Sequence, residues 1–243
     1  MIELSIIVPC YNDEQVLEDS IRSVNDVVIH SSLSVETIIV DDESTDRTRE
    51  VAKELIERYP ALHIRVLARK RRRRGFGVVV RYGMAHATGR FCAFVSSDGY
   101  DPVELLPQFL QKLRSGCQLV QCSRYIRGED LRGVSFSYRM YQSIYRSAVR
   151  LLLGAKIRDT TYGFRAFDRI YVQALGTSSS RFNICPEITF KVLTSGGKIE
   201  HMPGRPKAFT QGGSIKFQLP FEIWGYAYVL FRAALHRIGI PWF

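Results

Sequence analysis

The sequence predicts an α/β fold in which helices flank a mostly parallel, doubly wound sheet. Two observations carry this prediction: apolar, β-branched runs alternate with stretches of helical spacing, and several of these runs end in polar turns that contain aspartate. The chain has 243 residues, of which 46% are hydrophobic, which is enough for one well-formed core and short for two. We therefore expect one α/β domain with a short C-terminal appendage.

Two strand-helix units open the chain. Residues 4–8 form a β-branched run that ends at Pro9, and residues 14–27 have the apolar spacing of a helix. Residues 35–40 form a second continuous apolar run, and a helical stretch through Ile56 follows it. This repetition predicts parallel strands that are joined by helical crossovers.

The same alternation continues along the chain. Residues 63–67 and 91–95 are strand candidates, and a helix is predicted over residues 78–87 between them. The carboxyl ends of parallel strands lie at one edge of a sheet, where ligands of such folds bind. We expect the acidic turns that follow three of the strands to meet at that edge. These turns contain Asp13, the pair Asp41 and Asp42, and Asp98.

The aspartates in these turns predict a nucleotide site. Carboxylates accept hydrogen bonds from a base and a ribose, and they hold the Mg²⁺ or Mn²⁺ that bridges diphosphate oxygens. The alternative is that Asp41, Asp42 and Asp46 cap the next helix, since aspartate is preferred at that position. Capping is the favoured interpretation for Asp46, whereas two adjacent acids at a strand end exceed what a cap requires.

The net charge favours acidic partners. The chain has 34 Lys and Arg against 24 Asp and Glu, a formal charge of +10, which suits nucleotide phosphates, nucleic acid or an anionic membrane surface. The acidic turns at the strand ends would repel the phosphates of a nucleic acid, and the chain contains no recognised nucleic-acid-binding motif. We therefore expect no nucleic-acid partner.

The cysteines predict a reducing compartment. They are five in number and are scattered without the paired spacing of a zinc site or a disulfide framework. The apolar run near the start is a few residues long and leads directly into a turn, so we expect no signal peptide. Together these features predict a cytoplasmic location.

Two segments predict contact with a membrane face. Residues 138–153 mix aromatic and aliphatic side chains with arginines, as an amphipathic helix on anionic lipid does, although packing in a core is the alternative. Residues 217–243 are rich in aromatic residues, but Glu222, Arg232 and other charged residues interrupt them. This segment is too polar for a spanning helix, so we expect a domain over residues 1–216 and an interfacial or packing segment over residues 217–243.

Three motifs resemble the family-2 inverting glycosyltransferases of the GT-A fold. They are residues 8–13 (VPCYND), residues 40–48 (VDDESTDRT), which is the most specific match, and residues 75–89. Further on, Ser123-Arg124-Tyr125 and Asp159 with the stretch 163–166 (GFRA) are similar to the polyprenyl-phosphate glycosyltransferases, the branch that includes dolichyl-phosphate mannose synthase. The resemblance implies transfer of a sugar from a GDP- or UDP-sugar to an acceptor.

The resemblance also implies a donor site with a metal ion. Asp98 stands at the last acid of the family's metal-binding Asp-X-Asp element, so it is assigned to Mg²⁺ or Mn²⁺. Ser96 replaces the first acid, and because a hydroxyl is a much weaker ligand than a carboxylate, the metal is bound less tightly, bound differently or not needed. The residues assigned to the donor are Pro9, Tyr11, Asp13, Asp41, Asp42, Arg74, Gly75, Ser96, Ser97 and Asp98.

The chain departs from the family in its basic segments. Residues 69–74 form a longer basic run than related sequences show, and its arginines, Arg74 first, are candidates to neutralise the donor diphosphate. The alternative is a solvated loop that touches anionic lipid or nothing. Near the end, Phe209 stands where relatives carry an arginine, while Ser214 and Lys216 preserve part of a phosphate-binding element.

The acceptor implied by the resemblance is a polyprenyl phosphate. The chain lacks the Gln-X-X-Arg-Trp element of processive synthases, and an ionised phosphate attacks without a general base. For a soluble hydroxyl acceptor, Asp159 and Glu187 are candidate bases, but an ion pair of Asp159 with Arg165 or Arg158 is the alternative. A catalytically impaired scaffold relative is the other hypothesis. The catalytic assignments are Asp98, Arg124, Asp159 and Glu187, and the acceptor-phosphate assignments are Arg124, Arg165, Ser214 and Lys216.

Overall fold

A mixed sheet of seven strands runs through the part of the chain that the structure describes, in the order β3-β2-β1-β4-β6-β5-β7. This computed structural model describes residues 2–70, 75–124, 136–154, 157–204, 219–240 and 242–243. The strands are β1 Leu4–Cys10, β2 Val35–Asp41, β3 Ile64–Ala68, β4 Phe91–Phe94, β5 Leu119–Ser123, β6 Arg165–Asp168 and β7 Ile199–Pro203. Only β6 pairs antiparallel with its neighbours β4 and β5, so the predicted mostly parallel sheet is confirmed.

Helices cover both faces of the sheet. They are α1 Leu17–Ser31, α2 Thr48–Arg58, α3 Phe76–His86, α4 Leu106–Arg114, α5 Phe136–Leu153, α6 Arg169–Ala174, α7 Ile184–Thr194 and α8 Leu219–Arg237. Successive strand residues point to opposite faces. In β1, Ile6 and Val8 therefore join the core under α1, α2 and α4, while Ile7 joins the core under α3 and α7. Burial on both faces explains the continuous apolar runs of the parallel strands.

The predicted elements of the first half are confirmed, with differences at their ends. The helix predicted from residue 14 begins at Leu17, because Val16 and Leu17 first donate their amides to the carbonyl of Asp13 in a turn. The helix predicted over residues 78–87 begins two residues earlier and ends at His86.

The helices α5, α7 and α8 enclose a third core. Tyr145 and Val149 of α5 meet Phe190 of α7 and Tyr226 and Val229 of α8 in one buried cluster. Packing in a core is therefore confirmed for one side of α5, while its other side is exposed. The division at residue 216 stays a prediction. Within the described residues, we find no helix with the length and apolarity needed to cross a membrane.

Candidate active site

The candidate site lies at the edge of the sheet where the parallel strands end. From β1 the chain continues to β2 on one side, and from β4 it continues to β5 on the other side. The ends of the neighbouring strands β1 and β4 therefore border the crevice in which such folds bind ligands. Asp41 is the last residue of β2, and Asp13, Asp42 and Asp98 follow strand ends at the same edge. The structure therefore brings together the acidic turns that the sequence predicted would meet there.

Asp13 joins the turn after β1 to the turn after β4. Its Oδ2 accepts a hydrogen bond from the amide of Tyr11 at 2.9 Å and another from the hydroxyl of Ser97 at 2.7 Å. Its own amide donates to Oγ1 of Thr48 at 2.7 Å. These bonds hold a buried carboxylate in one orientation between the two turns.

Asp41 and Asp42 are each paired with an arginine. Oδ2 of Asp41 lies 2.7 Å from Nε of Arg49, and Oδ1 of Asp42 lies 2.8 Å from Nε of Arg69. Both carboxylates are buried, so the guanidinium groups compensate charges that burial would otherwise penalise. The sequence interpretation missed Arg49 and assigned Arg69 only to a basic run. A positive residue directly after the acidic motif, at the start of α2, was the available signal.

Asp46 supports the start of α2. Its Oδ1 accepts from the amide of Thr48 at 3.0 Å and from the hydroxyl of the same residue at 2.5 Å. Burial opposes ionisation of Asp46, but these hydrogen bonds outweigh it and lower the pKa of the carboxyl. The N-cap of α2 is Arg47, so Asp46 supports the first helical amide from the position before the cap. Asp41 and Asp42 are instead paired with arginines.

The turn Ser96-Ser97-Asp98 offers a metal ion one carboxylate. The hydroxyl of Ser97 donates to Asp13, and Oδ1 of Asp98 accepts from the amide of Tyr100 at 3.1 Å. Among the described residues, no group of three His, Cys, Asp or Glu could hold an ion by itself. Mg²⁺ commonly takes one or two carboxylates together with substrate phosphates. The residues therefore fit an ion that Asp98 shares with a diphosphate.

Asp101 is buried just behind that turn. Its Oδ2 accepts from the amide of Ser96 at 2.7 Å, and its Oδ1 accepts from the hydroxyl of Tyr162 at 2.7 Å. Burial raises the pKa of Asp101 to about 6, although both hydrogen bonds act in the opposite direction. The sequence interpretation assigned no role to Asp101.

Arg124 and Asp159 form an ion pair on the other side of the turn. Nε of Arg124 lies 2.8 Å from Oδ2 of Asp159, and its Nη2 lies 3.0 Å from Oδ1. Burial opposes ionisation of Asp159, but Arg124 outweighs it and lowers the pKa of the carboxyl. The buried carboxylate is held ionised in this pair, and its role as a base stays a prediction. The predicted alternative partners, Arg158 and Arg165, are wrong.

Arg165 is a structural residue, so its assignment to acceptor phosphate is wrong. Its side chain is fully buried at the start of β6. Nη1 donates to the carbonyl of Cys185 at 2.6 Å, and Nη2 donates to the carbonyls of Thr160 and Tyr162 at 3.1 Å and 2.5 Å. These bonds tie the segment before β6 to α7.

Glu187 is also occupied inside the protein, which corrects its assignment as a candidate base. Its carboxylate accepts from the amides of Ser178 and Ser179 at 2.9 Å and 2.8 Å, and the side chain is fully buried. It therefore shapes the loop before α7 and does not reach a substrate.

Gly75 packs closely against the loop that precedes α7. A side chain at Gly75 would collide with the carbonyl of Ser180, and one at Gly77 would collide with the carbonyl of Ser179. The amide of Val78 donates to the carbonyl of Ser180 at 3.2 Å. The absence of a side chain at Gly75 therefore allows a close approach of the chain itself. The assignment of Gly75 to the donor stays a prediction.

Three assigned residues cannot be placed. Arg74, Ser214 and Lys216 lie outside the described residues, and so do Phe209 and most of the basic run. Pro9 and Tyr11 lie at the end of β1 and in the turn after it, where the donor assignment puts them.

Comparison with known proteins identifies the family. The model of "Glycosyl transferase family 2" matches residues 5–176. A dolichol-phosphate mannosyltransferase of Pyrococcus furiosus is 27% identical over 191 residues, which are 78% of this chain and 53% of that protein. A dolichyl-phosphate beta-glucosyltransferase of Drosophila melanogaster is 31% identical over 189 residues, 73% of this chain and 58% of the relative. The chain thus spans little more than half the length of these relatives.

A solved structure supports the fold. Glucosyl-3-phosphoglycerate synthase from Mycobacterium tuberculosis, in complex with Mn²⁺, UDP and phosphoglyceric acid, matches with a TM-score of 0.67 and 22% identity, over 98% of this chain and 79% of that one. The likeness confirms the GT-A fold that the motifs predicted. With the family match over most of the chain, it follows that this protein belongs to glycosyl transferase family 2.

Proposed function

We propose that this chain is an inverting glycosyltransferase that moves a sugar from a GDP- or UDP-sugar to a polyprenyl phosphate. The observation that carries the proposal is the row of oriented carboxylates, Asp13, Asp41 and Asp98, along one sheet crevice inside the matched family region. Their orientation is set before any ligand binds, which reduces the entropy that binding must overcome.

The donor half of the crevice lies over β1 and β2. Pro9, Tyr11, Asp13 and Asp41 line the nucleoside part, with Asp42 held behind them by Arg69. The Asp41–Arg49 pair presents a fixed guanidinium beside a fixed carboxylate, and the Arg49 side chain is partly exposed. Such a pair offers both hydrogen-bond donors and acceptors to the polar edge of a base.

Asp98 is the residue that would hold Mg²⁺ or Mn²⁺ together with donor phosphate oxygens. When bound, the ion supplies positive charge that stabilises the departing diphosphate. The solved relative with Mn²⁺ and UDP supports a divalent ion in this fold. The replacement of the first acid by Ser96 predicts weak metal binding in the absence of nucleotide.

The acceptor half lies over β6 and β5. A phosphate oxygen attacks the anomeric carbon on the face opposite the diphosphate, and it brings no proton that a base must remove. This fits a site in which Asp159 and Glu187 are both occupied by internal bonds. Arg124 keeps a fixed orientation through Asp159 and is the candidate cation for the phosphates on this side. The names of the relatives support a lipid phosphate acceptor.

The exposed side of α5 and α8 supports a peripheral place on an anionic membrane face. Large apolar side chains follow each helix at spacings of three, four or seven residues, and Leu151 and Trp224 are 82% and 79% exposed. Arg150 and Arg237 are exposed on the same two helices. The apolar residues with this spacing are Met140, Ile144 and Leu151 in α5 and Trp224, Tyr228 and Phe231 in α8; Leu152 adjoins the first set, and Ile238 directly follows α8. The cytoplasmic location stays a prediction.

Turnover with defined substrates tests the proposal. Nucleotide release and product formation are measured with UDP- and GDP-sugars, with and without polyprenyl phosphate, in Mn²⁺ and in EDTA. We expect product with one donor and only in the presence of the lipid. Transfer to glycerol-type hydroxyl compounds instead would favour the soluble-acceptor alternative. No nucleotide release and no nucleotide binding would leave the scaffold alternative.

Asp98→Asn tests the proposed metal and donor residue. We expect a loss of about a hundredfold in turnover, because one charged interaction with the leaving group is removed while the side-chain shape is kept. Mn²⁺ affinity in the presence of UDP or GDP should fall in a titration that requires no turnover. Asp19→Asn, at an exposed position of α1, is the matched control.

Vesicle binding tests the membrane face. The double variant Trp224→Ser/Phe231→Ser should bind vesicles of phosphatidylcholine and phosphatidylglycerol roughly tenfold or more weakly than the unchanged chain, because two apolar side chains lose their contact with lipid. Ile29→Ser removes an apolar side chain that is 58% exposed on α1 and serves as control. Equal vesicle binding by all three proteins would contradict the membrane assignment.

A further inference from the structure

A chain of side-chain contacts crosses from the donor half of the crevice to the acceptor half. It begins at the turn that carries Asp98, where the amide of Ser96 donates to Asp101 at 2.7 Å. The other oxygen of Asp101 accepts from the hydroxyl of Tyr162, also at 2.7 Å. Tyr162 stands in the segment before β6, on the acceptor side. One carboxylate therefore binds both halves.

Tyr162 also contacts the Arg124–Asp159 ion pair of the acceptor half. The guanidinium carbon of Arg124 lies 5.1 Å from the centre of the Tyr162 ring, within the range of a cation–π contact. The same guanidinium is held by Asp159 on its other edge. The position of Arg124 is thus set by Asp159 and by the ring that Asp101 orients.

The choice of a carboxylate at this position is costly. Asp101 is 4% exposed and accepts hydrogen bonds from two neutral donors, and no cation pairs with it among the described residues. Burial raises its pKa to about 6, so the ionised form costs more free energy here than in an exposed aspartate. A neutral side chain of the same shape would fill the space at lower cost. Such costs are common where function sets the requirement.

We propose that Asp101 is a positioning residue for sugar transfer, which holds Asp98 and Arg124 at a fixed separation through Ser96 and Tyr162. The inference rests on the proposed function, since Asp98 is there assigned to the donor phosphates and Arg124 to the phosphates of the acceptor half. Groups that act on the same reacting centre must be placed closely, and a misplacement of about 1 Å can reduce a rate by roughly a hundredfold.

Hydrogen exchange tests the contact without any need for turnover. In Tyr162→Phe, amides in residues 95–101 should exchange faster, although the substitution is in the other segment. In Asp101→Ala, amides in residues 95–101 and 159–164 should both exchange faster. Ser20→Ala is the matched control, because it removes the hydrogen bond from Ser20 to the Ser96 carbonyl at 2.8 Å but does not cross the crevice. It should affect residues 95–101 alone.

Kinetics tests the functional part. We expect Asp101→Ala and Tyr162→Phe to lower kcat by about tenfold to a hundredfold, with UDP or GDP affinity close to that of the unchanged chain. Ser20→Ala should keep most of the kcat. A purely structural role would instead lower the active fraction and the melting temperature together and leave kcat per folded molecule unchanged.

The outcomes separate this inference from the proposed function. If the unchanged chain turns over but the two variants match it in kcat, the positioning role is overturned while the proposed function stands. If the substitution at Tyr162 changes exchange only in its own segment, the contact across the crevice is overturned, whatever the activity. Absence of turnover and of nucleotide binding in the unchanged chain overturns the proposed function and, with it, the positioning role.

Discussion

Glu36 and Asp101 are buried carboxylates at opposite ends of the sheet, with opposite electrostatics. Glu36, near the start of β2, is 3% exposed and accepts hydrogen bonds from Ser5 at 2.7 Å and from Thr88 at 2.6 Å and 2.7 Å. Arg65 adds a cation at 2.8 Å. Burial opposes ionisation, but these partners outweigh it and lower the pKa of Glu36 to about 2. Asp101 has two neutral donors, and burial raises its pKa to about 6.

The difference shows that the two ends of the sheet serve different purposes. At the amino end, Glu36 has enough partners for its charge to stabilise the fold. At the carboxyl end, Asp101 carries a charge that its surroundings do not compensate, beside the turn proposed to bind donor and metal. In an α/β enzyme, we expect uncompensated buried charges at the edge of the sheet that binds ligands and compensated ones at the opposite edge.

The largest expected effect comes from removal of the Arg124 side chain. Asp159 would then be a buried carboxylate without a cation partner, as Asp101 is. In Arg124→Ala, the buried Asp159 loses its cation, and the free energy of unfolding should fall by about 3–5 kcal/mol. Chemical denaturation measures the change. Arg124→Ala/Asp159→Asn should recover part of the loss, because no buried charge is then left unpaired. A double variant no more stable than Arg124→Ala would contradict this explanation.

Glu36→Gln tests the compensated end of the comparison. The folded pKa of Glu36 lies below its ordinary value, so its charge contributes stability that is present above pH 4.5 and lost as the pH falls towards 2. At pH 7 the variant should be about 3 kcal/mol less stable, and the difference from the unchanged chain should shrink between pH 4.5 and 2. Activity below the melting temperature should be retained. A constant difference across that range would contradict the assignment.

Asp101→Asn tests the uncompensated end and should have the opposite sign. The folded pKa of Asp101 lies above its ordinary value of 3.8, so its charge costs nothing below that pH and costs most above about 6. The variant should therefore gain up to about 3 kcal/mol of stability at pH 8 and little at pH 4. Urea denaturation at the two pH values measures the gain. Lower stability at pH 8 would show that Asp101 serves the fold.

The smallest effect is expected at an exposed ion pair. Arg58 and Glu18 face each other across α2 and α1 with side chains 49% and 41% exposed. Solvent screens such pairs, so Arg58→Ala should leave the melting temperature unchanged within error. A clear decrease would show that burial is not what separates Glu36 and Asp159 from surface pairs.

The sequence interpretation was most successful for functional residues that stand at the end of a strand. Strand ends in a parallel sheet share an edge, so the apolar runs before Asp13, Asp41 and Asp98 were enough to place these acids together. The motif after β2 also identified the family. It did not reveal that Arg49 and Arg69 neutralise the two acids, because these pairs join β2 to α2 and to the end of β3.

The interpretation failed on the acceptor side for a related reason. Arg165 and Glu187 carry charges and lie in family-like stretches, so they were given binding roles. Their side chains instead point into the protein, where Arg165 binds the carbonyls of Cys185 and Tyr162 and Glu187 binds the amides of a loop. Arg165 begins β6, which pairs antiparallel with both β4 and β5, whereas Glu187 lies in α7.

By itself, the sequence determined the α/β class, the order of the first strands and helices, the acidic edge and the family. These features depend on local periodicity and on short motifs, which can be identified from neighbouring residues without knowledge of the rest of the chain. Only the tertiary structure decided which charges are paired and which are buried, including Arg124 with Asp159 and Asp101 with Tyr162. Such pairs join residues far apart in the chain, and their energies depend on distance and burial, which no local pattern encodes.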